Sequence, residues 1–368
     1  MNMKKSLIAL AVASAFVAPV AMAETTIYGN MHVSIDRADT GTNTNAAKTN
    51  QLNSNESALG FKGAEDLSGG MSAIWQIETE IAADGSASED SNGDTFAGTS
   101  IGTRNTFVGL KSDSMGTVLV GNYDTPYKKS TRALDMFATT AADNRTDTGT
   151  GAQGMSMGRD ARVGNSFNYL SPDMGGLSVA AATVFGAEDA GNGDTKGSAR
   201  SVAAMYTMDN IYATVAIDSA KAGTDNSGDL SANGKLFKAA NGGAAGAVGD
   251  KASALKLGGS YTMDPIVLNL VYEKLTYKPA AGGDAKNTNI YFAAKYSLSS
   301  TDAVKLAYST LGDTKPGNTK NGAKQTSIGY DHSMSKNTMV YALYTKVALN
   351  ATNGAEPTDI SFGLKHSF

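Results

Sequence analysis

The chain has 368 residues, with 31 Lys and Arg against 35 Asp and Glu for a formal charge of −4. It contains no Cys, 3 His, and 7 Pro against 41 Gly, which excludes thiolate metal sites, thiol nucleophiles, disulfides and proline-rich linkers. Charged residues make up 18%, below the roughly 25% of an average soluble domain, and the acidic balance gives no basic surface for nucleic acid.

The first element is an export signal. Lys4 and Lys5 precede an apolar run from Leu7 to Val20, and Ala21-Met22-Ala23 supplies an A-x-A cleavage pattern. Residues 1–23 are therefore read as removed before Glu24, leaving 345 residues; losing Lys4 and Lys5 takes the charge to −6. No later run approaches the ~18 apolar residues of a spanning helix. An exported chain of this kind is secreted, periplasmic or an outer-membrane barrel, and periodicity decides among these.

Period-2 alternation recurs along the rest of the chain. It predicts about sixteen strands, near residues 25–37, 57–66, 71–82, 103–112, 116–123, 161–171, 177–185, 200–208, 211–221, 254–263, 266–277, 289–297, 302–310, 325–333, 338–347 and 359–368. Ile266, Leu268, Leu270 and Tyr272, for example, alternate with Val267, Asn269, Val271 and Glu273. Val163, Phe167 and Tyr169 are assigned to the face opposite Arg162, Ser166 and Asn168. One face is apolar with Tyr or Phe toward the strand ends; the other is small, polar or charged.

The connections alternate short and long. Short ones such as Leu67-Ser68-Gly69-Gly70, Asp209-Asn210 and Ser335-Lys336-Asn337 carry hairpin turn chemistry. Long polar stretches, 38–56, 83–102, 124–160 and 222–253, lie between them. The pattern is a hairpin repeated about eight times. Sixteen strands cannot remain an open sheet with two exposed edges, and in lipid a barrel is the only closed solution. The expected fold is all-β, one 16-stranded antiparallel transmembrane barrel over 24–368, too wide for side chains to fill.

Several stretches resemble the general Gram-negative porins of the neisserial and β-proteobacterial type. They are Ser57 to Leu67, Asn105 to Lys111, Arg162 to Ser178, Tyr330 to Thr338 and Gly363 to Phe368, with Tyr28-Gly29 near the start. The resemblance spans essentially the whole chain after residue 23. It implies a homotrimeric barrel whose third long loop, 124–160, folds inward as the constriction, with wall arginines facing loop carboxylates. It also implies outer-membrane lipid and lipopolysaccharide around the wall, and passage of ions and small hydrophilic solutes. Ala58 and Asn122 stand where the family often carries constriction arginines.

The residues expected to line the constriction are Lys62, Arg104, Asp124, Arg132, Asp135 and Arg162. Asp143 and Asp147 are further loop acids, while Glu78, Glu80, Lys256, Lys295 and Lys305 are expected on the wall. Phe368 ends an alternating strand and resembles the C-terminal signal read by the barrel assembly machinery. The leading function is passive diffusion through a water-filled pore of the Gram-negative outer membrane. A substrate-specific channel or an adhesive barrel is the alternative. No cofactor or metal is expected, and no enzyme: His32 falls on the inward parity of the first strand, but no nucleophile elbow accompanies it.

Overall fold

The computed structural model describes residues 25–41, 48–85, 101–145, 160–185, 197–223, 248–315, 320, 322–350 and 355–368, with the backbone of 88–89 and 95–96. The expected export signal and the middle of the third long connection, 146–159 with Asp147, lie outside the described residues. The wall strands in chain order are β1 (Thr26–Asp39), β2 in two pieces (Lys48–Ser54 and Ala58–Asp66), β3 (Met71–Glu80), β4 (Thr106–Ser112) and β5 (Gly116–Asp124). After the third long connection come β6 (Arg162–Leu170), β7 (Leu177–Phe185), β8 (Ser198–Met208), β9 (Ile211–Lys221), β10 (Lys251–Met263) and β11 (Ile266–Lys278). The last five are β12 (Ala285–Ser297), β13 (Asp302–Leu311), β14 (Ala323–Ser333), β15 (Thr338–Leu349) and β16 (Thr358–Ser367). A small ladder between Ser88–Glu89 and Thr95–Phe96 stands apart from the wall.

Each strand pairs antiparallel with its sequence neighbours, and β16 pairs with β1 from Asn30–Ser367 to Asp39–Thr358. Both edges of the sheet are thereby consumed. Gly29 and Phe368 exchange two backbone hydrogen bonds of 3.0 Å at the seam.

Alternation sets the two faces. Along β9, Val215 and Ile217 are exposed while Ala216, Asp218 and Ala220 are buried. The exposed face is apolar because its solvent is hydrocarbon, and a barrel satisfies its backbone groups within the wall. Tyr206, Tyr261, Tyr296 and Tyr330 are exposed close to the short-turn ends of β8, β10, β12 and β14. There an amphipathic ring meets both lipid and water. No helix among the described residues is long and apolar enough to cross a membrane; the strands do so.

Three expectations change. The stretch 38–56 is not all loop, because Lys48–Ser54 forms the outer piece of β2 against Val33–Asp39. Its sequence carries a single apolar residue, Leu52, so period-2 patterning gives no signal there. Second, Val163 does not share a face with Phe167 and Tyr169. The ladder to β5 shifts register between Gly121 and Tyr123, and Asn165 takes a φ of 51°. This bulge turns Val163 inward, where it is 1% exposed beside Ala161 and Val184. Third, tyrosine does not only mark strand ends: Tyr291 and Tyr341 are buried on the inward face.

Candidate pore constriction

The third long connection leaves β5 after Asp124 and returns at Arg162. Thr125 Oγ1 accepts the Lys128 N–H at 3.3 Å and Pro126 opens α1 (Pro126–Lys129), a start suited to a capped helix with proline in its first turn. A 3-10 turn, Arg132–Leu134, follows. Tyr127, Leu134, Phe137 and Ala142 are all buried inside the barrel. Leu134, Phe137 and Ala142 pack with Val271, Tyr291, Ala293, Tyr341 and Leu343 of the wall.

Glycines make room for this approach. A β-carbon at Gly258 would stand 2.8 Å from Thr131 Cγ2, and one at Gly329 would stand 2.8 Å from Phe137 Cε1. The docked loop must also satisfy its buried backbone, and the wall supplies the partners. Tyr212 donates to the Ser130 carbonyl at 2.5 Å, Asn269 to Leu134 at 2.8 Å, Lys305 to Met136 at 2.9 Å and Gln325 to Ala142 at 3.0 Å. Tyr291 Oη accepts the Met136 N–H at 2.9 Å and donates to Asp135 at 3.1 Å. His32 ties in the tip: Nδ1 is 3.3 Å from Thr139 Oγ1 and Nε2 is 3.0 Å from Tyr341 Oη. One ring nitrogen thus meets the loop and the other the wall.

A buried latch fastens both ends of the connection. Tyr127 donates to Glu273 at 2.7 Å, and Asn289 donates to the other carboxylate oxygen at 2.7 Å. Lys256 pairs with Asp160, lies 3.7 Å from Glu273 and sits 4.0 Å over the Tyr127 ring. The side chains of Lys256, Asp160 and Glu273 have no exposed area.

From the docked loop a ribbon of alternating charge reaches the wall at β2–β4. Arg132 binds Asp143 through two bonds of 2.7 and 3.2 Å. Arg145 lies 3.4 Å from Asp143 and 3.0 Å from Glu56. Arg104 then meets Glu56 at 3.2 Å, Glu78 at 2.6 Å and Glu80 at 3.5 Å. At the base of the loop Asp124 holds Lys128 at 2.8 Å and Arg162 at 3.2 Å, with Asn105 bridging Arg162 and Asp124. Among the loop groups, burial raises Asp143, but Arg145 and Arg132 outweigh it and hold its carboxyl well below the usual range. Burial and the neighbouring Asp143 push Asp135 up to about 6, against the pull of Arg132. Burial, aided by Arg162 and Arg145, brings Lys128 down to about 8 although Asp124 opposes it.

The geometry sorts the expected residues. Arg104, Asp124, Arg132 and Arg162 come together in or beside this ribbon. Arg104 reaches inward although Val108 and Leu110 share its parity and face lipid, because it precedes β4 and no pleat fixes it. Lys62 stands one step toward the short-turn mouth, 5.0 Å over the Tyr28 ring, and Tyr28 donates to Glu78 at 2.8 Å. Asp135 is placed differently from the expectation of a pore-lining acid. Its side chain has no exposed area and accepts from Phe137 N, Asn144 N and Tyr291, so it organises the loop from within.

Glu56 and Arg145 are the members that periodicity did not find. Glu56 lies in the break of β2, at a φ of 55°. Beside it Ser57 Oγ accepts the His32 N–H at 2.9 Å and donates to the His32 carbonyl at 3.0 Å, replacing ladder bonds. Among the described residues no group of three or more His, Cys, Asp or Glu is arranged to hold a metal ion. Polarised, paired charges across a wet lumen act on passing ions rather than on bonds.

The comparisons agree with this architecture. The family model for Gram-negative porins matches residues 9–352. Outer membrane porin protein 32 of Delftia acidovorans is 30% identical over 100% of both chains, and the major outer membrane protein P.IB of Neisseria lactamica is 26% identical over 100% of both. An anion-selective porin from Comamonas acidovorans shares the fold at a TM-score of 0.73 and 21% identity, covering 94% of this chain and 100% of that one. The chain belongs to the Gram-negative porin family.

Proposed function

We propose that this barrel lets ions and small hydrophilic solutes diffuse passively across the outer membrane of a Gram-negative bacterium, through a lumen narrowed by the docked segment Thr125–Arg145. One observation carries the reading: a closed wall, apolar on its exposed face, encloses a charged ribbon running from Arg132 to Glu78. Lipid stabilises the outside of such a wall and water the inside. No bond-making constellation is needed; a low-dielectric wall and oriented charge at a narrow point suffice. In this reading the constriction residues are Arg104, Asp124, Arg132 and Arg162, with Glu56 and Arg145 added, Lys62 at the margin and Asp135 as the loop's internal support.

Residues 1–23 act as the export signal, so the exported chain starts at Glu24. The barrel assembles as a homotrimer among outer-membrane lipid and lipopolysaccharide, and Phe368 at the closing seam is the residue presented to the barrel assembly machinery. The test is a planar-bilayer recording of the purified full barrel. Stepwise conductance is expected; the absence of any conductance step at every voltage and salt concentration refutes the diffusion-pore reading.

A further inference from the structure

The charges inside the barrel are distributed unevenly along its axis. At the level of the docked loop and outward, six bases stand within 4 Å of a carboxylate, Arg104, Lys128, Arg132, Arg145, Arg162 and Lys256, while Lys129 of the loop donates to Tyr123 instead. Carboxylates exceed them there. Arg104 alone is met by Glu56, Glu78 and Glu80, and Lys256 by Asp160 and Glu273. Near the outer ends of β1 and β16, inward-facing Asp36 and Asp359 have no ion pair among the described residues; Asp36 accepts only from Ser34 and Asn53. The sequence of 146–159 adds one Asp and one Arg, which cancel.

On the short-turn side of the loop the sign reverses. Lys62, Lys111, Lys295 and Lys365 lie on the inward parity of β2, β4, β12 and β16, and none has an ion pair among the described residues. Lys295 is the ladder partner of Lys305, which donates to the underside of the loop at Met136 and pairs with Asp331 at 2.9 Å. Lys365 is the ladder partner of His32 beneath the loop tip. The carboxylates of the short turns, Asp66, Asp113, Asp173, Asp209, Asp264 and Asp302 among them, stand at the rim, and three are engaged there. Asp66 and Asp173 accept amide N–H groups of their own turns, while Asp302 binds Ser299, Tyr330 and His332.

We infer that the lumen is polarised along its axis, cationic below the docked loop and anionic at and above it, and that the open pore therefore rectifies ionic current. The inference rests on the diffusion-pore reading. Fixed charge draws counter-ions, so cations populate the outer zone and anions the inner one. A potential positive on the long-loop side drives both toward the junction at the loop and raises the ion content of the pore. The opposite polarity pulls both away and depletes it. Current is consequently larger when the long-loop side is positive. A potential of about one kT changes local ion concentration about e-fold, which sets the asymmetry on the order of twofold.

The experiment is a single-pore current–voltage curve in symmetric KCl at about 0.1 M and about 3 M, where the Debye length falls from about 10 Å to below 3 Å. Orientation is fixed with Lys336→Cys in an exposed short turn, biotinylated and met by streptavidin from one compartment; the chain has no other Cys. The expected result is roughly twofold larger current with the long-loop side positive at low salt, collapsing toward one at high salt. Lys62→Gln/Lys111→Gln/Lys295→Gln, which spares every loop contact, lowers the low-salt ratio toward one. A linear low-salt curve, the opposite polarity, or a ratio unmoved in the triple variant overturns the polarisation while leaving the pore intact. Absence of any conductance step refutes the pore itself.

Discussion

Replacing Lys256 by Met tests whether the inner loop is held by its buried latch. The side chain to be removed is fully buried, with Asp160 and Glu273 within reach and the Tyr127 ring 4.0 Å away. Methionine keeps the length and loses the charge, leaving two fully buried carboxylates without the ammonium that pairs with them. Breaking a buried pair in this way costs about 3–5 kcal/mol. The closed ladder from β1 to β16 does not depend on Lys256, so the cost falls on the contacts it bridges, Tyr127 at the start of the loop and Asp160 at its end. A change of 1.4 kcal/mol is tenfold in an equilibrium. The undocked fraction is accordingly expected to rise by about two to four orders of magnitude. Single-pore recordings of Lys256→Met should show frequent conductance fluctuations, and proteolysis within the connection should accelerate while the wall strands stay protected. Lys256→Met/Asp160→Asn should recover part of the loss, since it removes one of the stranded charges. A quiet trace and unchanged proteolysis in Lys256→Met would refute the latch.

Gly258→Val and Gly329→Val place carbon within 2.8 Å of Thr131 and Phe137; each is expected to lift the loop at a cost of about 1–3 kcal/mol, read as a shifted unitary conductance with unaltered far-ultraviolet circular dichroism. Glu56→Gln removes a carboxylate shared by Arg104 and Arg145 and should move the reversal potential in a KCl gradient toward anion preference; no movement would take Glu56 out of the conduction path. Because Lys128 is brought down to about 8 by burial, its positive charge is lost as pH rises through that value, so cation preference should increase from pH 7 to pH 9. Lys128→Met should abolish that increase. Phe368→Ala leaves the seam hydrogen bonds but removes the ring that lies over Gly29, and a lower yield of folded barrel in the outer membrane is expected by heat-modifiability on gels.

The wall was legible because each inward or outward step is enforced by solvent. In β7–β16, runs such as Ile211–Lys221 face lipid on one side and water on the other, so the sequence alternates and its limits lie within a few residues of the ladders. Legibility failed where that enforcement stops. Lys48–Ser54 extends a ladder with a single apolar residue, and Val163 lies beyond a bulge that resets parity. Length and resemblance both nominated the third long connection, whose segment Thr125–Arg145 docks inside the barrel, yet neither could separate Asp135 from Asp143. Both are loop acids three and eleven residues after Arg132, and only the fold shows that Tyr291 and two amides enclose the first while Arg132 and Arg145 flank the second.

The same limit explains Glu56 and Arg145. Neither belongs to a period, because each stands where backbone regularity is interrupted, Glu56 at a positive φ between two strand pieces and Arg145 beyond the buried turn that Asp143 organises. A charge buried away from the lumen water needs a partner within about 4 Å to offset its desolvation, and regular strands space their inward side chains too rigidly to provide every partner. Breaks in the pleat and the docked loop supply the adjustable positions. The charged ribbon therefore joins Glu78 and Glu80 of an alternating strand to Glu56, Arg104, Arg132, Asp143 and Arg145 from the least periodic parts of the chain.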